Sequence, residues 1–114
     1  MAPLPCPLHY PYRWGVQLNR DEVVRIVRRA VPELSVRYGF LHLDLFGSFA
    51  RDEAGPESDV DILVTFLGEP TFASYMGLKE DLAMLLNRDV DLVPSTGLKP
   101  RIREAVLAEL LRVA

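Results

Sequence analysis

A chain of 114 residues has room for one hydrophobic core, so its working site is expected on the surface of a single domain or in an open cleft. Its 49% hydrophobic and 25% charged residues are the balance of a globular protein, which excludes a disordered or fibrous chain. A net charge of -3 with scattered basic residues argues against a long nucleic acid substrate, the lone Cys6 excludes an internal disulfide and a cysteine-based zinc cluster, and no apolar run suggests a membrane span.

Residues 1–8 lack the basic start of a secretion signal and are broken by Pro3, Pro5 and Pro7, so a cytoplasmic protein is expected. Four prolines with Tyr10, Tyr12 and Trp14 predict an extended arm over residues 1–18, ahead of a folded domain over residues 19–114. Asn19, with Glu22 three residues on, predicts a helix N-cap and capping box. Val23, Val24, Ile26, Val27, Ala30 and Val31 then supply the apolar stripe of a helix from about Arg20. Pro32 should interrupt that helix, and Gly39 should end the region.

Phe40–Phe46 alternates, with Leu41, Leu43 and Leu45 on one face and His42 and Asp44 on the other, which predicts a half-buried strand stopped by Gly47. Residues 52–58 form a turn-rich loop, and Val60–Phe66 is a second strand closed by Gly68 and Pro70. A second long helix follows over residues 71–88, with Phe72, Tyr75, Leu78, Leu82, Leu85 and Leu86 near helical spacing and Gly77 as its weak point. Residues 89–93 read as a third short strand and residues 94–97 as a loop. Pro100 suits the first turn of a terminal helix, whose inward stripe would be Ile102, Ala105, Val106, Leu110 and Val113. This order predicts an α/β (α+β) fold, a small mixed β-sheet backed by helices, with carboxylates on the uncovered side.

Asp59 and Asp61 flank Val60, and alternation along a strand sends both carboxylates to one face while Val60 and Ile62 enter the core. Two adjacent anions repel unless a cation lies between them, and paired carboxylates are how proteins hold Mg²⁺ for substrate phosphates. Taken alone, such a pair is more often a solvated turn at a strand start. Asp91 adds a third oxygen ligand if its strand is a neighbour, whereas Asp89, at the strand edge, suits solvent. Gly47-Ser48 leaves a strand and enters a helical turn, where free backbone N–H groups can meet phosphate. Ser48 can donate to a phosphate oxygen; Arg51 either reaches the polyphosphate or locks the loop to nearby carboxylates. His9 and His42 are poor catalytic candidates.

Together, Gly47-Ser48-Phe49-Ala50-Arg51, Ser58-Asp59-Val60-Asp61-Ile62-Leu63-Val64 and Val90-Asp91-Leu92-Val93 resemble the minimal nucleotidyltransferase family of the DNA polymerase β superfamily. The resemblance runs from about Asn19 to the C-terminus, through Leu98-Lys99-Pro100, and implies the nucleotidyltransferase fold. By that resemblance, Gly47 and Ser48 hold the triphosphate of the nucleotide, and Asp59 and Asp61 hold two Mg²⁺ ions. Asp91 completes one metal site. ATP would be the nucleotide substrate, and in-line attack on its α-phosphorus would release pyrophosphate. Asp52 departs from the pattern, since family members often carry glycine after the arginine; it is expected to face solvent.

A chain of this size is expected to carry no added domain to hold an acceptor. Family members of this size resemble the antitoxin partners of HEPN-domain ribonuclease toxins, which implies transfer of AMP to a toxin tyrosine. The alternative is a non-catalytic antitoxin that neutralises its partner by binding; a stand-alone nucleotide sensor would need the same residues. No membrane partner is expected, and the oligomeric state, a homo-oligomer included, is left open.

Overall fold

Asn19 caps the first helix. Its side chain accepts from the Glu22 N–H at 2.9 Å, and the Glu22 carboxylate accepts from the Asn19 N–H at 3.3 Å, so the capping box closes ahead of α1 (Arg20–Tyr38). Gly39 ends the helix in the left-handed region, φ 70°, with its N–H donating to Ser35 O at 2.8 Å. The structure, a computed structural model, describes residues 18–55 and 58–114, so most of the proline-rich arm, with Cys6, His9, Tyr10, Tyr12 and Trp14, lies outside the described residues. Pro32 does not interrupt α1. It lies on the solvent side, where the backbone carbonyl deprived of its N–H partner can be hydrated.

The remaining elements are β1 (Phe40–Phe46), α2 (Gly47–Ala50), β2 (Val60–Phe66), α3 (Phe72–Leu86), β3 (Val90–Pro94), a 3₁₀ turn at Ser95–Gly97, α4 (Pro100–Ala108) and β4 (Leu111–Arg112). Strand order is β3-β2-β1-β4, with β2 and β3 parallel and the other pairs antiparallel, which is the mixed sheet expected. Val23, Val27 and Leu34 of α1 and Leu78, Leu82 and Leu86 of α3 share one core with Leu43, Leu45, Val60, Ile62, Val64, Val90 and Leu92 of the sheet. Thr71 and Ser74 cap α3 reciprocally, and Asn87 ends it at φ 54°. Gly77 has a packing reason: a Cβ there would lie 2.7 Å from the ring of Tyr38, whose hydroxyl donates to Asp81 at 2.6 Å where α1 meets α3.

Three further expectations are corrected. Leu41 is 54% exposed, because the register shifts between Phe40 and His42; this bulge turns Phe40 inward in its place. Phe72 is 80% exposed, since at the first position of α3 it precedes the face that meets the sheet. The terminal stripe does not form, for α4 buries none of its residues, leaving Ile102 and Ala105 exposed and Val106 half-buried. The chain instead leaves the helix after Ala108 and pairs β4 with β1, so Leu110 lies beyond the helix and Val113 is buried beyond β4. That pairing explains Asp44, which is 2% exposed on the face away from the helices and accepts from its register partner Arg112 at 3.0 Å. His42 lies alongside, its Nδ1 3.1 Å from Ala114 O.

Candidate active site

The alternation read in β2 is the alternation observed. Val60 and Ile62 are buried at 0% and 1% exposure, while Asp61 between them is half-buried on the opposite face and Asp59, just before the strand, is exposed. Register does the rest. In the parallel pair Asp61 lies directly beside Asp91, and in the antiparallel pair it lies beside Phe46, the residue before Gly47. Asp59, Asp61, Asp91 and the Gly47-Ser48 turn are thus gathered at one end of the sheet. Asp89 is exposed, and its contribution is a backbone carbonyl that accepts from the Val60 N–H at 3.0 Å.

Gly47 cannot be another residue without disturbance. Its φ is +73°, and a Cβ built on it would lie 2.1 Å from Asp61 Oδ2. The turn it begins is held by Phe49, buried at 1% exposure, over whose ring the Arg88 guanidinium lies at 5.5 Å. Arg88 also donates to the carbonyls of Gly55 (3.3 Å) and Ser58 (3.1 Å), and so braces the loop that delivers Asp59. As early residues of a helical turn, Ser48 and Phe49 have amides with no carbonyl one turn back to bond, which leaves them for an incoming anion.

The contacts of Arg51 are those of a loop lock. Its Nε donates to Glu53 at 3.0 Å and its Nη1 to Glu109 Oε2 at 2.9 Å, while Glu109 Oε1 accepts from the Gly47 N–H at 3.0 Å. Asp52 is exposed, as expected, and its φ of 60° explains why glycine suits that position; aspartate is among the few side chains that tolerate it. Sequence reasoning missed Arg88 and Glu109. Each lies at the end of a helix far along the chain from what it braces, and no local pattern marks either.

The carboxyl of Asp61 is pushed up to about 6, first by burial and then by the negative charges of Asp91 and Asp59, with Arg51 offsetting part of the effect. Among the described residues no three acidic or histidine side chains already stand as a metal cage. Mg²⁺ needs no such cage, because it takes one or two carboxylates and completes its shell with water and phosphate oxygens. The raised Asp61 marks a place where a cation would relieve repulsion, so the residues fit the ion.

A pH dependence follows. Unfolded, Asp61 titrates near 3.8, so its contribution to stability is fully present below that value and is lost as pH rises through about 6. Metal-free Asp61→Asn should therefore melt close to the unsubstituted protein at about pH 4 and several degrees above it at about pH 7.5, as read by thermal unfolding. Added Mg²⁺ should narrow the gap at the higher pH by favouring charged Asp61. An equal gap at both values would refute this.

Residues 24–113 match the family model described as nucleotidyltransferase domain. The chain is 40% identical over 96 residues to the protein adenylyltransferase MntA of Thermococcus cleftensis, covering 84% of this chain and 97% of that protein. A solved structure described as a candidate minimal nucleotidyltransferase superposes with a TM-score of 0.70 at 40% identity, over 82% of this chain and 95% of that one. The Shewanella oneidensis MNT antitoxin, solved in complex with its tri-AMPylated HEPN toxin, superposes with a TM-score of 0.59 over 80% of this chain and 71% of that one, which at 20% identity is a likeness of fold. With the family model spanning most of its length and a close relative covered almost end to end, this chain belongs to the nucleotidyltransferase domain family.

Proposed function

We propose that the chain is a protein adenylyltransferase that moves AMP from ATP to a hydroxyl of a partner HEPN toxin, a tyrosine, and thereby acts as its antitoxin in the cytoplasm. The observation that carries this reading is the 40% identity to a protein adenylyltransferase over 97% of that protein's length. Residues 19–114 form the catalytic domain in this reading, with residues 1–18 an arm before it.

Asp59, Asp61 and Asp91 would hold two Mg²⁺ ions, which when bound would supply the positive charge that steadies the attacking and leaving oxygens. The Gly47-Ser48 turn receives the triphosphate on the Ser48 and Phe49 amides and the Ser48 hydroxyl, Gly47 letting the backbone come close, and Arg51 adds positive charge while held by Glu53 and Glu109. The tyrosine oxygen attacks the α-phosphorus in line and its proton passes to Asp91. The bond to the bridging oxygen breaks, and pyrophosphate leaves. Positioning and charge neutralisation are what such a transfer requires of a protein, so no covalent nucleophile is needed from so short a chain.

Incubating the chain with ATP labelled on the α-phosphate, Mg²⁺ and the HEPN protein that co-purifies with it should label that protein on tyrosine. Omitting Mg²⁺ should abolish the label. A partner that stays unlabelled with every nucleoside triphosphate would refute the reading.

A further inference from the structure

Beyond the three aspartates and the Gly47-Ser48 turn, we propose that Glu109 is a positioning residue for nucleotide binding, a staple across the phosphate-binding turn. Its carboxylate spends one oxygen on each end of that turn: Oε1 accepts from the Gly47 N–H at 3.0 Å and Oε2 from Arg51 Nη1 at 2.9 Å. Gly47 and Arg51 stand four residues apart, one helical turn, and the same segment closes on itself where the Arg51 N–H donates to Gly47 O at 3.1 Å.

Its place is set by the sheet, not by α4. β4 pairs with β1 at Asp44 with Arg112 and at Leu45 with Leu111, and continuing that antiparallel register by two residues sets Glu109 opposite Gly47. The ion pair of Arg112 with the buried Asp44 and the burial of Val113 anchor β4, so the carboxylate is delivered from a fixed strand end. Helix α4, which buries nothing, contributes only the Val106 carbonyl that accepts from the Glu109 N–H at 3.1 Å.

Two consequences bear on nucleotide binding. With the Gly47 amide already satisfied, the amides left for phosphate are those of Ser48 and Phe49, so the staple selects which donors face the ligand. Gly47 also packs against Asp61 Oδ2, so fixing Gly47 fixes the separation between the phosphate-binding turn and the carboxylates. Arg51 neutralises the negative charge this places near the polyphosphate, and is itself oriented by it.

The assignment rests on the phosphate-binding reading of Gly47-Ser48, and the test separates the two. ATP affinity in the presence of Mg²⁺ is measured by calorimetry on the full chain for Glu109→Ala, Glu109→Gln and Ser48→Ala, at a temperature where circular dichroism shows each folded. Glu109→Ala should weaken ATP about tenfold, and Glu109→Gln, whose amide oxygen still accepts one of the two bonds, should recover part of the loss. In an Arg51→Ala background the Glu109→Ala effect should shrink, which general destabilisation would not produce. Unchanged or tighter ATP binding in both Glu109 variants, with Ser48→Ala weakened, overturns the staple alone; tighter binding would mean the carboxylate occupies space the phosphate needs. Ser48→Ala binding ATP as well as the unsubstituted protein overturns the phosphate-binding reading and the staple with it. If Glu109→Ala does not fold, Glu109→Gln decides the matter by the same criterion.

Discussion

Asp61→Asn should lower AMP transfer by about 10³-fold or more while the protein stays folded and still binds its partner. The expectation comes from the position of Asp61 between Asp91 on β3 and Phe46 on β1, in contact range of Gly47, which makes it the carboxylate closest to the phosphate-binding turn. Asparagine has nearly the same shape, so packing against Gly47 is kept and only the charge that attracts a cation is lost. The raised affinity of Asp61 for its proton, from burial first and then from the charges of Asp91 and Asp59, means that this substitution removes a disfavoured charge from the metal-free protein, so lost activity cannot be blamed on lost stability. Rates from single-turnover labelling and melting curves on the same samples check both halves. Co-expressing the toxin with Asp59→Asn and Asp61→Asn together separates catalysis from occlusion: a catalytic antitoxin loses protection while still binding, whereas one that works by covering its partner keeps it.

Gly47→Ala should cost about 100-fold in transfer rate, the scale expected when catalytic groups are misplaced by about 1 Å. Two separate penalties meet at this position. An L-residue at φ +73° is strained by roughly 1 to 2 kcal/mol, and its Cβ would fall 2.1 Å from Asp61 Oδ2, so either the carboxylate or the turn must move. Gly39 supplies the control. It has φ +70° with nothing within 4 Å of its Cβ position, so Gly39→Ala carries the same backbone strain without a clash. Both variants should lose stability by about 1 kcal/mol or more in urea unfolding, and only Gly47→Ala should lose activity. Equal activity in the two would show that the Gly47–Asp61 contact is unimportant.

The site was legible where its chemistry is local. Asp59 and Asp61 share a face because a strand alternates, and the residues between and after them, Val60 and Ile62, are buried as alternation requires. Gly47-Ser48 follows a strand and starts a helical turn, which the run from Phe46 to Arg51 already suggested. Arg51 was placed near the site with two roles open to it, and its contacts with Glu53 and Glu109 are those that hold the loop. Leu41 shows how local reading fails: alternation is counted residue by residue, and one bulge moves a side chain to the other face. Ile102 and Ala105 show the converse, a helical apolar stripe that stays largely exposed.

The sequence by itself determined the caps of α1, the alternation of β2, the turn after β1 and the acidic identity of the site, because each depends on neighbours within a few residues. Only the tertiary structure decided that Asp91 lies beside Asp61, that two residues near the C-terminus make a strand, and that Glu109 reaches Gly47. Register belongs to two strands at once. Its free energy comes from pairing and burial between segments many residues apart, so no single stretch of chain carries a periodicity that announces it.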